Sequence, residues 1–273
     1  MTERFNLETE KTGQYILLIR IEPEGFCFAA YNPAVNGSFT SYRIPVNKNE
    51  DLLKVLEEAV YEDPVLLCPF QKIYILLQTE RFTFVPQILE TEGETEPYYH
   101  YCHTEKEENI LENRLEKNGI YNLFGIDKDL YAFLQRTFDN PMILHHLSPL
   151  CEYFYTKSRL GNNGKMYVNL QKKQIDILCF NKKGLLLANT FPYEHINDGA
   201  YHILNVWQQI GLDQMRDEVQ LAGESEPKKM ITHILQEYIS YVIPSVFPAQ
   251  LFKMGKGTMG VPFDMIITPL SGL

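Results

Sequence analysis

Near the C-terminal end, Gly255-Lys256-Gly257-Thr258-Met259-Gly260 spells G-x-G-x-x-G. In a dinucleotide fold that spacing lets backbone N–H groups approach a pyrophosphate, but it requires a strand before it, a helix after it and an acid about 20 residues on. Val261-Pro262 follows here, so the stretch reads as a glycine-rich loop. His100, Cys102 and His103 are metal-ligand types, with His145 and His146 as distant partners. Zinc ligands pair at C-x₂₋₄-C or H-x₃₋₅-H spacing, which does not occur here. On a strand His100 and Cys102 would share a face and His103 would point away. The reading is an aromatic surface loop, with His145 and His146 at a strand end and no metal. A two-metal nuclease needs carboxylates on adjoining strands. The opening strands instead offer Arg20 and Asn169, and Asp176 alternates with Ile175 and Ile177, which predicts a solvent-facing side chain. Ser225 lacks a G-x-S-x-G setting and reads as a helix cap. Lys172-Lys173 could meet a phosphate but reads as a solvated hairpin tip.

Elements must hold these residues, and composition bounds what the elements can be. The chain has 273 residues, of which 45% are hydrophobic and 22% charged, enough for one large core or two ordinary ones. A net charge of −10 argues against a phosphate backbone as partner, so no nucleic acid is expected. No apolar run reaches the ~18–20 residues of a membrane span, and Met1–Lys11 is polar. Five widely spaced cysteines (Cys27, Cys68, Cys102, Cys151, Cys179) suit a reducing compartment, and the expectation is cytoplasm.

The order of elements repeats. Tyr15–Ile21, Phe26–Tyr31 and Phe39–Val46 read as a meander, followed by a helix from Leu52 with Asn49 as N-cap and Pro64 beyond its end, then a buried strand Ile73–Leu77. Met166–Leu170, Gln174–Phe180 and Leu185–Phe191 form a second meander. After it come a helix capped by Asn197 and closed by a left-handed Gly211, and a strand Glu218–Ala222. Corresponding landmarks lie about 150 positions apart, the mark of an internal duplication. Glu108–Lys117 and Lys128–Arg136 read as helices, Ile120–Gly125 and Met142–His145 as strands. Lys228–Ser240 reads as a helix capped by Ser225, with Met230, Ile231, Ile234, Leu235 and Tyr238 on one face. Ser158–Lys165 is the expected linker, giving lobes over 1–158 and 165–273. Glu90–Glu108, with seven Glu and one Lys around Tyr98-Tyr99-His100-Tyr101, reads as an insertion or long loop in the first lobe.

Meander, helix, strand, helix, strand, used twice, resembles the duplicated ribonuclease-H-like unit of the actin-like ATPase superfamily, over about Tyr15 to Tyr241. The likeness is to its small divergent members, among them pilus-assembly and secretion-platform proteins and an uncharacterised bacterial domain-of-unknown-function family. It implies an α/β fold of two ribonuclease-H-like lobes with a cleft between them. In active members the first hairpin of each lobe carries Asp-x-Gly, the glycine admitting phosphate and the Asp serving magnesium. Here those hairpins read Arg20-Ile21-Glu22-Pro23-Glu24-Gly25 and Asn169-Leu170-Gln171-Lys172-Lys173-Gln174, and the adenosine-side glycine pair is reduced to Ala222-Gly223. Hydrolysis is therefore not expected. The functional reading is a non-catalytic, protein-binding or scaffolding member with no cofactor, its partner meeting the acidic, tyrosine-rich insertion. The alternative is a divergent ATP-binding protein or slow ATPase. Asn169, Gln171, Lys172 and Gly223 would then lie nearest the nucleotide, with Glu22 or Glu24 toward a metal.

Overall fold

A run of Ile and Leu buried on both faces makes Ile16–Glu22 (β1) the centre of the first sheet in the computed structural model, which describes residues 4–89, 95–104, 106–245 and 249–273. Gly25–Tyr31 (β2) returns antiparallel to it and Thr40–Pro45 (β3) pairs outside β2. Leu52–Glu62 (α1) follows. Its N-cap is Asp51, whose carboxylate accepts from the N–H groups of Leu53 and Lys54. Asn49, the expected cap, lies too far out to serve that turn. Lys72–Leu77 (β4) is parallel to β1. Phe82–Pro86 (β5), Glu96–Cys102 (α2), Glu108–Leu115 (β6) and Ile120–Asp127 (β7) build a separate three-stranded sheet, in the order β5-β7-β6, with α2 beside it. Lys128–Thr137 (α3) is capped by Asp127. Met142–His145 (β8) then completes the first sheet, ordered β3-β2-β1-β4-β8.

The second sheet repeats that order. Leu147–Ser158 (α4) precedes Lys165–Leu170 (β9), Gln174–Asn181 (β10) and Gly184–Pro192 (β11). Ile196–Ile210 (α5), Glu218–Gly223 (β12), Ser225–Leu235 (α6) and Tyr241–Pro244 (β13) follow, giving β11-β10-β9-β12-β13. In both sheets the first strand is antiparallel to the second and parallel to the fourth. The duplication read from the sequence is thus present. One face of the second sheet (Met166, Val168, Leu170, Ile175, Ile177) packs with Ile203, Trp207, Ile231 and Leu235 of α5 and α6. The other face meets α4, where Phe154 stacks on Tyr167 at 4.1 Å. Ala249–Met254 (α7) and Phe263–Ser271 (α8) end the chain, and α8 packs on α4.

Several local expectations are corrected. Glu108–Lys117 is not a helix but β6 and the start of the turn into β7. Its Asn113 amide donates to the Ile143 carbonyl at 3.1 Å and its Oδ1 accepts from the His145 N–H at 2.8 Å, so this side chain completes the bonding of β8. α5 is preceded by His195 instead of Asn197, and Asp198 accepts from the His195 N–H at 2.9 Å. Gly211 does close it in the left-handed region, with the Leu212 N–H on the Trp207 carbonyl. α6 begins at Ser225 and ends at Leu235; Ile231 and Leu235 are buried, while Met230 and Tyr238 are exposed.

The chain forms two compact units, Met1–Arg114 with Gly119–His146 and Pro248–Val261, and Leu115–Asn118 with Leu147–Phe247 and Pro262–Leu273. This differs from contiguous lobes over 1–158 and 165–273. Ser158–Lys165 lies inside the second unit because α4 buries its apolar residues there, so the chain changes unit at His146 and Leu147. Among the described residues no helix is long and apolar enough to cross a membrane.

Candidate functional site

The second-lobe hairpin was expected to lie nearest a nucleotide, and its polar side chains converge on one carboxylate. Asn169 on β9 and Asp176 on β10 are register partners. The Asn169 Nδ2 donates to Asp176 Oδ2 at 2.9 Å, the Gln171 Nε2 donates to the same oxygen at 2.7 Å, and the Thr190 hydroxyl donates to Oδ1 at 2.9 Å. Tyr193 donates its hydroxyl proton to the Gln171 carbonyl at 2.5 Å, holding the hairpin from below. Asp176 is fully buried, not solvent-facing as the alternation suggested. Its side of the sheet is the one that α4 covers. Cys151 of α4 is buried as well. Burial pushes its thiol well up, and the charges of Glu152 and Asp176 add to the effect, so it stays protonated and is no nucleophile.

Of the four residues singled out from the sequence, Asn169 and Gln171 meet on Asp176, whereas Lys172 is exposed at the hairpin tip. Gly223 pairs with Leu170 in register at φ 91°, and a Cβ there would lie 2.0 Å from the Leu170 carbonyl oxygen. Its glycine character is thus explained by close strand packing. Asp176, Thr190 and Tyr193 were missed as site residues. The signal available was the seven-residue spacing of Asn169 and Asp176, which a tight hairpin turns into a cross-strand pair.

Arg20 occupies the place of Asn169 in the first sheet, pairing with Cys27 as Asn169 pairs with Asp176. It is fully buried and forms an ion pair with Glu22. The turn beyond carries Pro23, which has no N–H to offer, and an exposed Glu24. This hairpin presents carboxylates where a phosphate grip would need donors.

The acidic stretch is not one loop. Residues 90–94 and Glu105 lie outside the described residues, and Tyr98–Cys102 are helical. Tyr99 is buried and donates its hydroxyl to Glu108 at 2.9 Å, which also accepts from the Arg81 Nε at 3.0 Å. The hydrogen bonds from Arg81 hold the Glu108 carboxyl below the usual carboxylate range. Ile88 and Tyr101 are 91% and 94% exposed and Leu89 is half-exposed, and the Tyr98 hydroxyl of α2 donates to the Leu89 carbonyl at 2.6 Å. His103 Nε2 faces the Phe82 carbonyl at 3.0 Å. His145 is buried, its Nδ1 on the Asn122 amide and its Nε2 on the Thr79 carbonyl, each at 3.1 Å. Among the described residues no three His, Cys, Asp or Glu gather as metal ligands.

A family profile described as a protein of unknown function (DUF3822) matches residues 4–242. Among solved structures, a protein with actin-like ATPase fold and unknown function from Bacteroides thetaiotaomicron VPI-5482 is 32% identical, with a TM-score of 0.78, covering 91% of this chain and 98% of that one. The PilM–PilN type IV pilus biogenesis complex matches with a TM-score of 0.56 at 9% identity, over 94% of this chain and 96% of that one, which speaks to the fold alone. No curated protein matches the chain. The architecture is therefore the actin-like ATPase fold, α/β with two ribonuclease-H-like lobes.

Proposed function

We propose, from the premise that this chain belongs to the DUF3822 family of proteins of unknown function, that it is a non-catalytic, protein-binding scaffold built on the actin-like ATPase fold. The observation that carries this reading is how the polar side chains of the two hairpins bond one another. Asp176 is bonded by Asn169, Gln171 and Thr190, and Arg20 by Glu22. Side chains that would serve phosphate and magnesium are spent on one another. PilM is known in complex with PilN, and the same use of the fold, holding a protein partner, is proposed here. The surface assigned to that partner is the exposed side of α2 with Tyr101, together with Ile88 and Leu89. Aromatic residues there can bury a large area while keeping a polar tip wet. The five free cysteines support placing the protein in the cytoplasm.

A second reading, ATP with magnesium at the Asn169 hairpin, has one observation in its favour. The Asn169 Oδ1 is buried and accepts no hydrogen bond among the described residues, as an acceptor awaiting a ligand would. Thermal unfolding with and without 1 mM Mg-ATP separates the two. A dissociation constant of ~10 µM would stabilise by about 2.7 kcal/mol, raising the midpoint by about 5–10 °C. The scaffold reading expects no rise, and expects Ile88→Ser with Tyr101→Ala to lose a cross-linked partner while melting as the parent does. A nucleotide-dependent rise, or a partner retained by that variant, would overturn it.

A further inference from the structure

The Gly255–Gly260 stretch is not a loose loop but a strap along the outer edge of β3. As the edge strand of the first sheet, β3 turns one row of backbone groups away from β2. Parity fixes which row. The Val46 N–H donates inward to the Glu24 carbonyl at 2.9 Å, so residues of even number here face β2 and those of odd number face out. In the turn that leads into β3, the N–H groups of Gly37 and Phe39 donate to the carbonyls of Lys253, at 2.7 Å, and Met254, at 3.3 Å, where α7 ends. To Thr40–Pro45 itself the strap makes no backbone bond among the described residues. It is tied by side chains instead, the Ser41 hydroxyl reaching the Gly257 carbonyl at 3.5 Å and the Arg43 Nη2 donating to the Gly260 carbonyl at 2.9 Å. The approach demands glycine. A Cβ on Gly257 would lie 2.0 Å from the Phe39 carbonyl oxygen, and one on Gly255, at φ 90°, 2.7 Å from the Gly37 Cα.

An open strand edge is a template for another strand, and this one is covered by backbone that does not itself form a ladder. We infer that the strap is an edge guard, which keeps β3 from pairing with β3 of a second copy of this chain. The strand suits self-pairing. An antiparallel two-fold through Tyr42 sets Ser41 opposite Arg43 of the second copy, both outward, and places no like charges face to face. The spacing Gly255-x-Gly257 then serves neither a phosphate nor mere flexibility; it lets a covering segment lie flat on a strand. This inference stands apart from the proposed function and needs neither a partner protein nor a nucleotide.

The test is Gly257→Val, read by amide exchange over residues 37–45 and by sedimentation velocity across a concentration series, with Met259→Ala on the exposed side of the strap as control. Gly257→Val should speed exchange of the Gly37 and Phe39 amides by about tenfold or more and produce a concentration-dependent dimer; Met259→Ala should do neither. Adding Ser41→Pro removes an outward N–H and should return the chain to monomer. Unchanged exchange, or faster exchange in a chain that stays monomeric, overturns the inference, as does a dimer that survives Ser41→Pro. Should Gly257→Val fail to melt cooperatively, the Ser41→Ala and Arg43→Ala double variant removes the side-chain ties without a backbone clash, and the same two measurements decide.

Discussion

Replacing Asp176 with alanine removes an acceptor on which three donors converge, and the surroundings of each donor set the cost. Asn169 is 1% exposed, so its Nδ2 has no route to water, while Gln171 and Thr190 are only partly buried and can turn outward. A buried donor left without a partner costs about 1–3 kcal/mol, and one that regains water much less. The sum is a loss of about 2–4 kcal/mol, to which the cavity beside Cys151 adds little, because the side chain removed is small. At roughly 2–4 °C per kcal/mol for a chain of this size, the thermal midpoint should fall by about 5–15 °C. Asp176→Asn keeps the volume but only one acceptor oxygen, and should fall between the parent and Asp176→Ala. Far-UV circular dichroism of the three proteins at neutral pH is the assay. An unchanged midpoint would refute the reasoning that these bonds are an internal tie. A raised midpoint would refute it more sharply, since a residue kept at a cost in stability marks a ligand site, and the Mg-ATP reading would gain what the scaffold reading lost.

Two further outcomes follow from local geometry. Glu108 has its pKa lowered in the fold, chiefly by Arg81, so its contribution is present above the ordinary carboxylate value and is lost as pH falls through the lowered one. The stability gap between the parent and Glu108→Gln in urea titrations should be full near neutrality and close on acidification below pH 4.5, the ordinary value; a gap that widens in acid contradicts the assignment. At the start of α1, Asp51→Ala should cost about 1 kcal/mol and Asn49→Ala less than about 0.5, measured as shifts in the thermal midpoint, and the reverse order would restore Asn49 as the cap.

Much of the architecture was legible because each half of the chain states its sheet plainly. Tyr15–Ile19 and Ile73–Leu77 are continuous apolar runs that only a doubly covered parallel pair can bury, and the Asn181–Gly184 turn sets the β10–β11 hairpin. The missing helices and the misplaced Asp176 share a cause. α4 and α8 are buried nearly all round, so they lack the polar face that gives a helix its sequence period, and each carries a proline, Pro149 and Pro269. With those helices unseen, the second sheet reads as covered on one side only. Strict alternation then sends Asp176 to solvent. Once α4 is in place the same alternation puts Asp176 in a second interior, where a carboxylate must find donors, and Asn169, Gln171 and Thr190 are those donors. The β6 error is of another kind. Ile110, Leu111 and Leu115 are spaced much as on a helix, but Asn113 is needed at the edge groups of β8, and only an extended chain carries it there. Tertiary bonding overrides local propensity at that point. The site was misread for the same reason as the fold: what decides whether a polar residue is spent inside or offered outside is the layer above it, and in this chain that layer comes from segments without a periodic signal.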